Sequence, residues 1–105
     1  MTPPPRRALG LLNLDVAHKD RERDIRAIQA IAADRKYELT GVITIDGSTY
    51  MPITLIAHTA AEQSAVAVVA PSSHHFGEQP DALAHAVTLE TWAGTVERVE
   101  WDPTR

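Results

Sequence analysis

The sequence predicts an α/β domain: a three-layer parallel sheet of about four strands with helices on both faces. Three observations support this fold class. Short apolar runs alternate along the chain with longer segments that suit helices. The runs lack apolar–polar alternation, which is typical of parallel strands covered on both faces. The 105 residues suffice for one domain with one modest core.

The first half of the chain supplies a strand, a helix and a second strand. Residues 8–16 are mostly apolar and suit a central strand. Asp20 suits the N-cap of the helix that follows. That helix has one apolar stripe at steps of three and four residues, formed by Ile25, Ile28, Ile31 and Ala32. Residues 37–46 are rich in β-branched side chains and predict the second strand.

Two interpretations compete for residues 48–62. Asp46-Gly47 between apolar runs is a strong hairpin signal, which would make the next residues a returning antiparallel strand. Alternatively, Pro52 is the first residue of a helix, where its missing amide hydrogen costs little. The residue patterns alone favour neither.

The second half predicts a strand over residues 65–70, a helix over 80–93 ending at Gly94, and an edge strand over 95–101. The apolar residues of this helix form two stripes, so it must bury more than one side. They predict a surface for a second copy of the chain or another protein, formed by Leu83, Ala86, Val87, Leu89 and Trp92.

Composition excludes several classes of function. The net charge of -4 argues against a broad nucleic-acid footprint, although Arg6 and Arg7 form a candidate local DNA contact. Residues 1–7, with three consecutive prolines, predict a disordered arm, and residues 102–105 a tail. The chain has no cysteine and no apolar run long enough for a membrane helix, and its first residues, MTPPPRR, lack the apolar core expected of a signal peptide. We therefore expect a cytoplasmic protein.

The stretch PSSHHFGE, residues 71–78, follows a predicted buried strand, where many α/β proteins place their chemistry. Neighbours such as His74 and His75 point in different directions, so they do not suit one metal ion. No nucleophile-elbow motif surrounds Ser72 or Ser73, and the serines more simply close a turn than bind an anion. The sequence predicts no metal and no cofactor.

The order and spacing of these segments point to a family. LGLLNLDV, the helix before Tyr37, DGSTYMP and VVAPSSHHFGE follow the order of its motifs. The chain resembles the N-terminal catalytic domain of the resolvase/invertase serine recombinases over residues 9–94. The resemblance implies a helix introduced by Pro52 rather than a hairpin.

The residues that carry the chemistry of that family differ here. Asp15 stands where the resemblance implies the serine nucleophile, and Met51 stands where an arginine precedes the proline. The degenerate active-site positions are Asn13, Asp15, Ser72, His74, His75 and Glu78. At about 4 Å and an effective dielectric near 20, like charges repel by roughly 4 kcal/mol, so Asp15 and Glu78 would oppose a DNA phosphate.

The sequence thus predicts a catalytically inactive resolvase-like domain. We expect a protein-interaction or regulatory module, self-associating or bound to another protein, and no membrane partner. One alternative is an accessory or relic DNA-recombination protein with weak DNA association. Another is a small-molecule or anion sensor at the carboxyl-terminal edge of the sheet.

Overall fold

The computed structural model describes residues 5–17, 21–77 and 80–99. Strands and helices alternate through most of this range. Their order is β1 (Arg6–Asn13), α1 (Arg21–Asp34), β2 (Tyr37–Ile45), α2 (Pro52–Glu62), β3 (Ala65–Val69), a 3₁₀ helix (Ser73–Phe76), α3 (Pro80–Ala84), β4 (Thr88–Thr91) and β5 (Gly94–Val96).

The five strands form one sheet in the order β2-β1-β3-β4-β5. The first four are parallel, and β5 returns antiparallel to β4. Helix α1 packs on one face against β1, β2 and β3, whereas α2 and α3 pack together on the other. The structure therefore confirms the predicted α/β class with helices on both faces, and adds a fifth strand.

Alternation along β1 divides the core into two layers, although residues 8–12 in its middle are all apolar. Ala8 faces α1 and belongs to a cluster with Ile28 and Ile31. Leu9 and Leu11 face the opposite way and pack with Ile56 of α2. Successive side chains of a strand point to opposite faces, so a central strand covered on both sides must be apolar at every position.

At Gly10, helix α1 packs close against the sheet. A Cβ atom at this position would lie 2.9 Å from Cγ2 of Ile28 and 2.9 Å from Cγ2 of Val42. Carbon atoms in contact are normally about 3.5–4.0 Å apart. The absence of a side chain at Gly10 therefore lets α1 settle directly onto β1 and β2.

Residues 52–62 are helical, which decides between the two interpretations of this region. Pro52 occupies the first turn of α2, and Met51 precedes it with φ 48° and ψ 61°. This left-handed conformation is uncommon for a bulky residue and costs of order 1–3 kcal/mol. The hairpin is wrong because the chain reverses through Met51 into a helix, and Asp46-Gly47 forms a loop instead.

The predicted helix over residues 80–93 is wrong. The helix α3 covers Pro80–Ala84 only, and residues 88–91 form β4, parallel to β3. In TLET, Leu89 turns into the core while Thr88 and Glu90 lie on the other face. This period of two is too short in sequence to stand out from the helical spacing that surrounds it. Gly94, expected to cap the helix, begins β5.

The ends of the predicted elements also shift. β1 begins at Arg6, so Arg6 and Arg7 belong to a strand rather than to a disordered arm. It ends at Asn13, and the predicted last three residues form a turn. Asp20, Glu78 and residues 100–105 lie outside the described residues. Within the described chain, no helix is long and apolar enough to cross a membrane.

Candidate functional site

A cleft of about 500 Å³ opens at the carboxyl-terminal edge of the sheet. The chain leaves β1 towards α1 on one face, and leaves β3 towards α3 on the other. In open α/β sheets, such a switch point between neighbouring strands creates a crevice in which ligands bind. The cleft is bordered by residues following β1, β2 and β3 and by the first turns of α2.

The lining of the cleft combines an apolar side with a polar side. The apolar side is formed by Ile45, Pro52, Ile53, Ile56 and Phe76, and the polar side by Asn13, Asp15, Asp46 and Thr49, with Gly47 and Gly77 completing the wall. Ile45, Ile56 and Phe76 are buried, whereas Asp15 is exposed. Small-molecule sites typically show this pattern of an apolar cavity with few polar groups.

Asp46 is held by the loop that follows β2. Its carboxylate accepts hydrogen bonds from the Ser48 hydroxyl at 2.6 Å and the Ser48 amide at 2.8 Å. Its own amide donates to Oγ1 of Thr49 at 3.0 Å. The Ser48 hydroxyl and then its amide stabilise the ionised form, which holds the pKa of Asp46 below its ordinary value. Asp46 therefore brings a fixed negative charge to the cleft.

Asp15 brings the second carboxylate. Its backbone amide donates to Oδ1 of Asn13 at 3.1 Å, which turns the chain directly after β1. A Cβ atom on Gly47 would lie 3.0 Å from Oδ2 of Asp15, so the loop after β2 and the turn after β1 meet closely. The two carboxylates thus come from the segments that directly follow two adjacent strands, β1 and β2.

His75 supports the cleft from the protein interior. Its side chain is 1% exposed, and its Nδ1 accepts the backbone amide hydrogen of Asn13 at 2.9 Å. An Nδ1 that accepts is unprotonated, which places the proton of a neutral ring on Nε2. β3 ends at Val69, so His75 satisfies the Asn13 amide just beyond the end of the β3 ladder.

The degenerate active-site positions do not all meet. Asn13 and Asp15 line the cleft, and His75 contacts Asn13 from the interior. Ser72 and His74 belong to the loop but do not line the cleft, and His74 is exposed. Glu78 lies outside the described residues. Only the pair predicted on β1 is therefore placed in the cleft itself.

The predicted partner surface is contradicted by burial. Leu83, Val87 and Leu89 are 0%, 5% and 2% exposed and belong to the core, so they offer nothing to a partner. Ala86 and Trp92 are exposed, but they lie in separate turns rather than on one helix. The prediction of this partner surface is wrong because the helix over residues 80–93, on which it depended, does not form.

The candidate DNA contacts, Arg6 and Arg7, lie in β1 and contact other parts of the protein. The Arg6 guanidinium lies 4.7 Å from the centroid of the Tyr37 ring. Arg7 donates from Nη1 to the Gln63 carbonyl at 3.4 Å. Successive strand residues point to opposite faces, so these two arginines do not form one patch. Their contact with DNA stays a prediction.

Several residues of the cleft were not predicted from the sequence. Asp46 and Gly47 indicate a turn and belong to the segment DGSTYMP, but the sequence does not predict them as site residues, although the end of β2 lies at the same edge as the end of β1 in a parallel sheet. Phe76 lies in the predicted loop, but nothing in the sequence marks it as buried. No group of three or more His, Asp or Glu side chains in the described chain is arranged to hold a metal ion.

Comparison of the chain with protein-family models, with curated proteins and with solved structures gave no match. The resemblance to serine recombinases therefore stays a prediction based on the order and spacing of motifs.

Proposed function

We propose that the protein is a non-enzymatic binding domain for a small molecule with an apolar body and a protonated amine. The observation that carries this proposal is the cleft at the switch point of the sheet, with its apolar side and two carboxylates. Its volume of about 500 Å³ falls within the usual range for small-molecule sites.

The charge of the lining selects the ligand. Asp15 and Asp46 are the ionisable residues among those that line the cleft, and both are acidic. A carboxylate or phosphate would meet like charge there, whereas an ammonium group would meet opposite charge and oxygen acceptors. The cleft therefore favours a cationic ligand. This differs from the anion that Ser72 and Ser73, in the loop after β3, suggested as one alternative.

The apolar side selects the rest of the ligand. Ile53, Ile56 and Phe76 offer hydrocarbon and aromatic surface, and burying a ligand against it contributes about 25 cal/mol per Å² of apolar area. A branched aliphatic or aromatic amine matches both halves of the lining. A strongly polar cation such as free ammonium gains nothing from the apolar half.

Two features support a binding rather than a catalytic role. The cleft contains no serine or cysteine among its lining residues, and His75 accepts a backbone hydrogen bond instead of facing the cleft. A hydroxyl nucleophile needs a base within hydrogen-bond reach. Thr49, the hydroxyl in the lining, uses its oxygen to accept the Asp46 amide.

Thermal unfolding with paired ligands tests the proposal. Phenethylamine and isoamylamine are compared with 3-phenylpropionate and isovalerate at equal ionic strength. We expect the amines alone to raise the Tm, because a ligand at 100 times its Kd stabilises the folded state by about 2.7 kcal/mol. Asp15→Asn and Asp46→Asn should each reduce the shift. Glu62→Gln, which removes an exposed carboxylate at the far end of α2, should leave it unchanged.

Equal shifts with amines and carboxylates would refute the assignment of a cationic ligand. Shifts that survive both aspartate substitutions would place binding outside the cleft. Absence of any shift across both pairs at millimolar concentration counts against the proposed function as a whole.

Self-association is a second candidate function, supported by a different observation. Trp92, Val96 and Val99 are 53%, 52% and 47% exposed, and they lie on or beside the edge strand β5. Exposed apolar residues at a sheet edge are typical of association sites. Light scattering at micromolar concentration should give the mass of a dimer, and Trp92→Ser should restore the monomer. A monomeric wild-type chain excludes this candidate.

A further inference from the structure

A second cavity, which we call the basic groove, lies on the α1 face of the sheet beside β4 and β5. Its volume is about 510 Å³, and it is lined by Arg6, Arg35, Tyr37, Thr88, Glu90, Thr95, Glu97 and Arg98. It shares no lining residue with the cleft. Every lining side chain is polar or charged except for the ring of Tyr37.

The position of the basic groove follows from how the sheet is covered. Helix α1 packs over β1, β2 and β3. In the β4–β5 hairpin, Glu90 pairs with Thr95 on the groove side, whereas Leu89 pairs with Val96 on the α3 side. The hairpin thus presents a polar surface to the groove and an apolar surface to α3.

Glu90 forms the floor of the groove and is already satisfied within the protein. Its side chain is 4% exposed and accepts a hydrogen bond from the Thr95 hydroxyl. Nε of Arg35 lies 3.9 Å from Oε1 of Glu90. Burial, reinforced by a hydrogen bond to Glu90, raises the pKa of Tyr37 to about 12, so its hydroxyl stays a neutral donor. The contacts of Glu90 are thus with Thr95, Arg35 and Tyr37, and two outer cations lie elsewhere in the lining.

Those outer cations are Arg6 and Arg98. The charge of Arg6 lies over the Tyr37 ring, and Nε of Arg98 donates to the His85 carbonyl at 3.4 Å. Neither forms an ion pair with an acidic side chain of the described residues. Arg35, by contrast, contacts Asp34, Glu90 and the Thr91 carbonyl. The lining carries three arginines and two glutamates, a net charge of +1 in a chain of net charge -4.

We propose that the basic groove binds the phosphate group of a small molecule through Arg6 and Arg98. Guanidinium groups present several N–H donors in a plane and match phosphate oxygens bidentately. A phosphate has enough acceptor oxygens for two arginines and a hydroxyl at once, whereas a carboxylate has two oxygens. Thr88, whose oxygen accepts the Arg98 amide at 3.2 Å, keeps its own hydrogen for such a donor role. Glu90 acts as a positioning residue that holds Arg35 and the Tyr37 hydroxyl in the floor.

Titration followed by ³¹P NMR tests the proposal on the full chain. The probes are inorganic phosphate and glycerol 3-phosphate. Because acetate and chloride contain no phosphorus, the Tm of the chain is also compared in the presence of each of the four anions at matched ionic strength. We expect saturable binding of a phosphate probe, and we expect Arg6→Gln and Arg98→Gln each to weaken it about tenfold, the loss typical of one charged hydrogen bond. Arg26→Gln, which removes an exposed arginine of α1 paired with Glu22, should leave it unchanged.

The two phosphate probes separate the sources of the group. Tighter binding of the monoester identifies a phosphorylated small molecule, and equal binding identifies free phosphate. Equal stabilisation by acetate or chloride would overturn the proposal, because it would show screening rather than phosphate recognition. Equal weakening in Arg26→Gln, or no binding of either phosphate, would overturn it as well.

Discussion

Substituting Gly10 by alanine should destabilise the fold because α1 leaves no room for a methyl group. The new Cβ would lie 2.9 Å from two side-chain carbons and 3.2 Å from the Gly41 carbonyl oxygen. Relief to normal carbon contacts of about 3.5–4.0 Å requires a movement of at least roughly 0.6 Å. Such overpacking costs about 1–3 kcal/mol. The more restricted unfolded chain returns about 0.4–1 kcal/mol.

The midpoint of these ranges is a net loss of about 1.3 kcal/mol in the free energy of unfolding, which corresponds to a Tm lower by about 5–10 °C for a domain of this size. Urea denaturation, monitored by circular dichroism, measures this loss. We expect the dependence of the free energy of unfolding on urea concentration to be the same in both chains. Gly41→Ala is the matched control, because a Cβ at Gly41 meets nothing within 4 Å. We expect that variant to be as stable as the wild type or slightly more stable.

A third variant identifies the contact responsible. Val42→Ala removes one of the two carbons that a methyl group at Gly10 would meet. The double variant should therefore lose less stability than the sum of the two single losses. A Gly10→Ala chain with wild-type stability, or strict additivity in the double variant, would refute the close approach of α1 to the sheet.

Three further predictions concern the core and the basic groove. The raised pKa of Tyr37 makes a stabilising contribution that is fully present below pH 10 and is lost as the pH rises towards 12. The free energy of unfolding should therefore fall more steeply over this range in the wild type than in Tyr37→Phe. Parallel curves for the two chains would contradict the prediction. Leu89→Ala should cost about 2–5 kcal/mol and Trp92→Ala less than about 1, whereas a helix over 80–93 predicts losses at both. His75→Phe should cost about 1–3 kcal/mol by leaving the Asn13 amide unsatisfied, and an unchanged urea midpoint would exclude that hydrogen bond.

The parts of the fold that the sequence predicted are those with a long, regular pattern. The stripe of α1 repeats over four positions, and Ile28, Ile31 and Ala32 are all buried. β3 lies within its predicted range and is one residue shorter. Each pattern directly reflects burial on a repeating face, so it can be recognised without knowledge of the rest of the chain.

The hairpin of β4 and β5 could not be predicted in the same way. β4 has four residues, and the hairpin is stabilised by pairing with β3 and by packing of Leu89 into the core. These contacts join residues about 20 positions apart in the chain, and no local pattern records them. Alanine-rich residues before β4 favour a helix locally, and tertiary pairing overrides that preference.

The candidate sites also contain residues that a sequence pattern predicts and residues that depend on contacts between distant segments. The switch-point rule predicted that chemistry would lie at the carboxyl-terminal edge, and Asn13 and Asp15 lie there. Arg35 lies off the apolar stripe of α1, and its contact with Glu90 could not be predicted because it requires the position of β4. A groove between a helix end and a hairpin has no signature in a single sequence, since each segment contributes one or two residues.

The charged residues of both cavities also stabilise the ends of helices, apart from any role in ligand binding, and this second role determines how the proposals must be tested. Asp46 lies near the first turn of α2, and Arg35 directly follows the last turn of α1. Acidic groups near a helix N-terminus and basic groups near a C-terminus each stabilise a helix by about 0.3–1 kcal/mol. Asp46→Asn will therefore change stability whether or not the cleft binds an amine. The decisive quantity is the difference between the Tm shifts of wild type and variant with and without ligand, because the helix contribution is the same in both measurements and cancels.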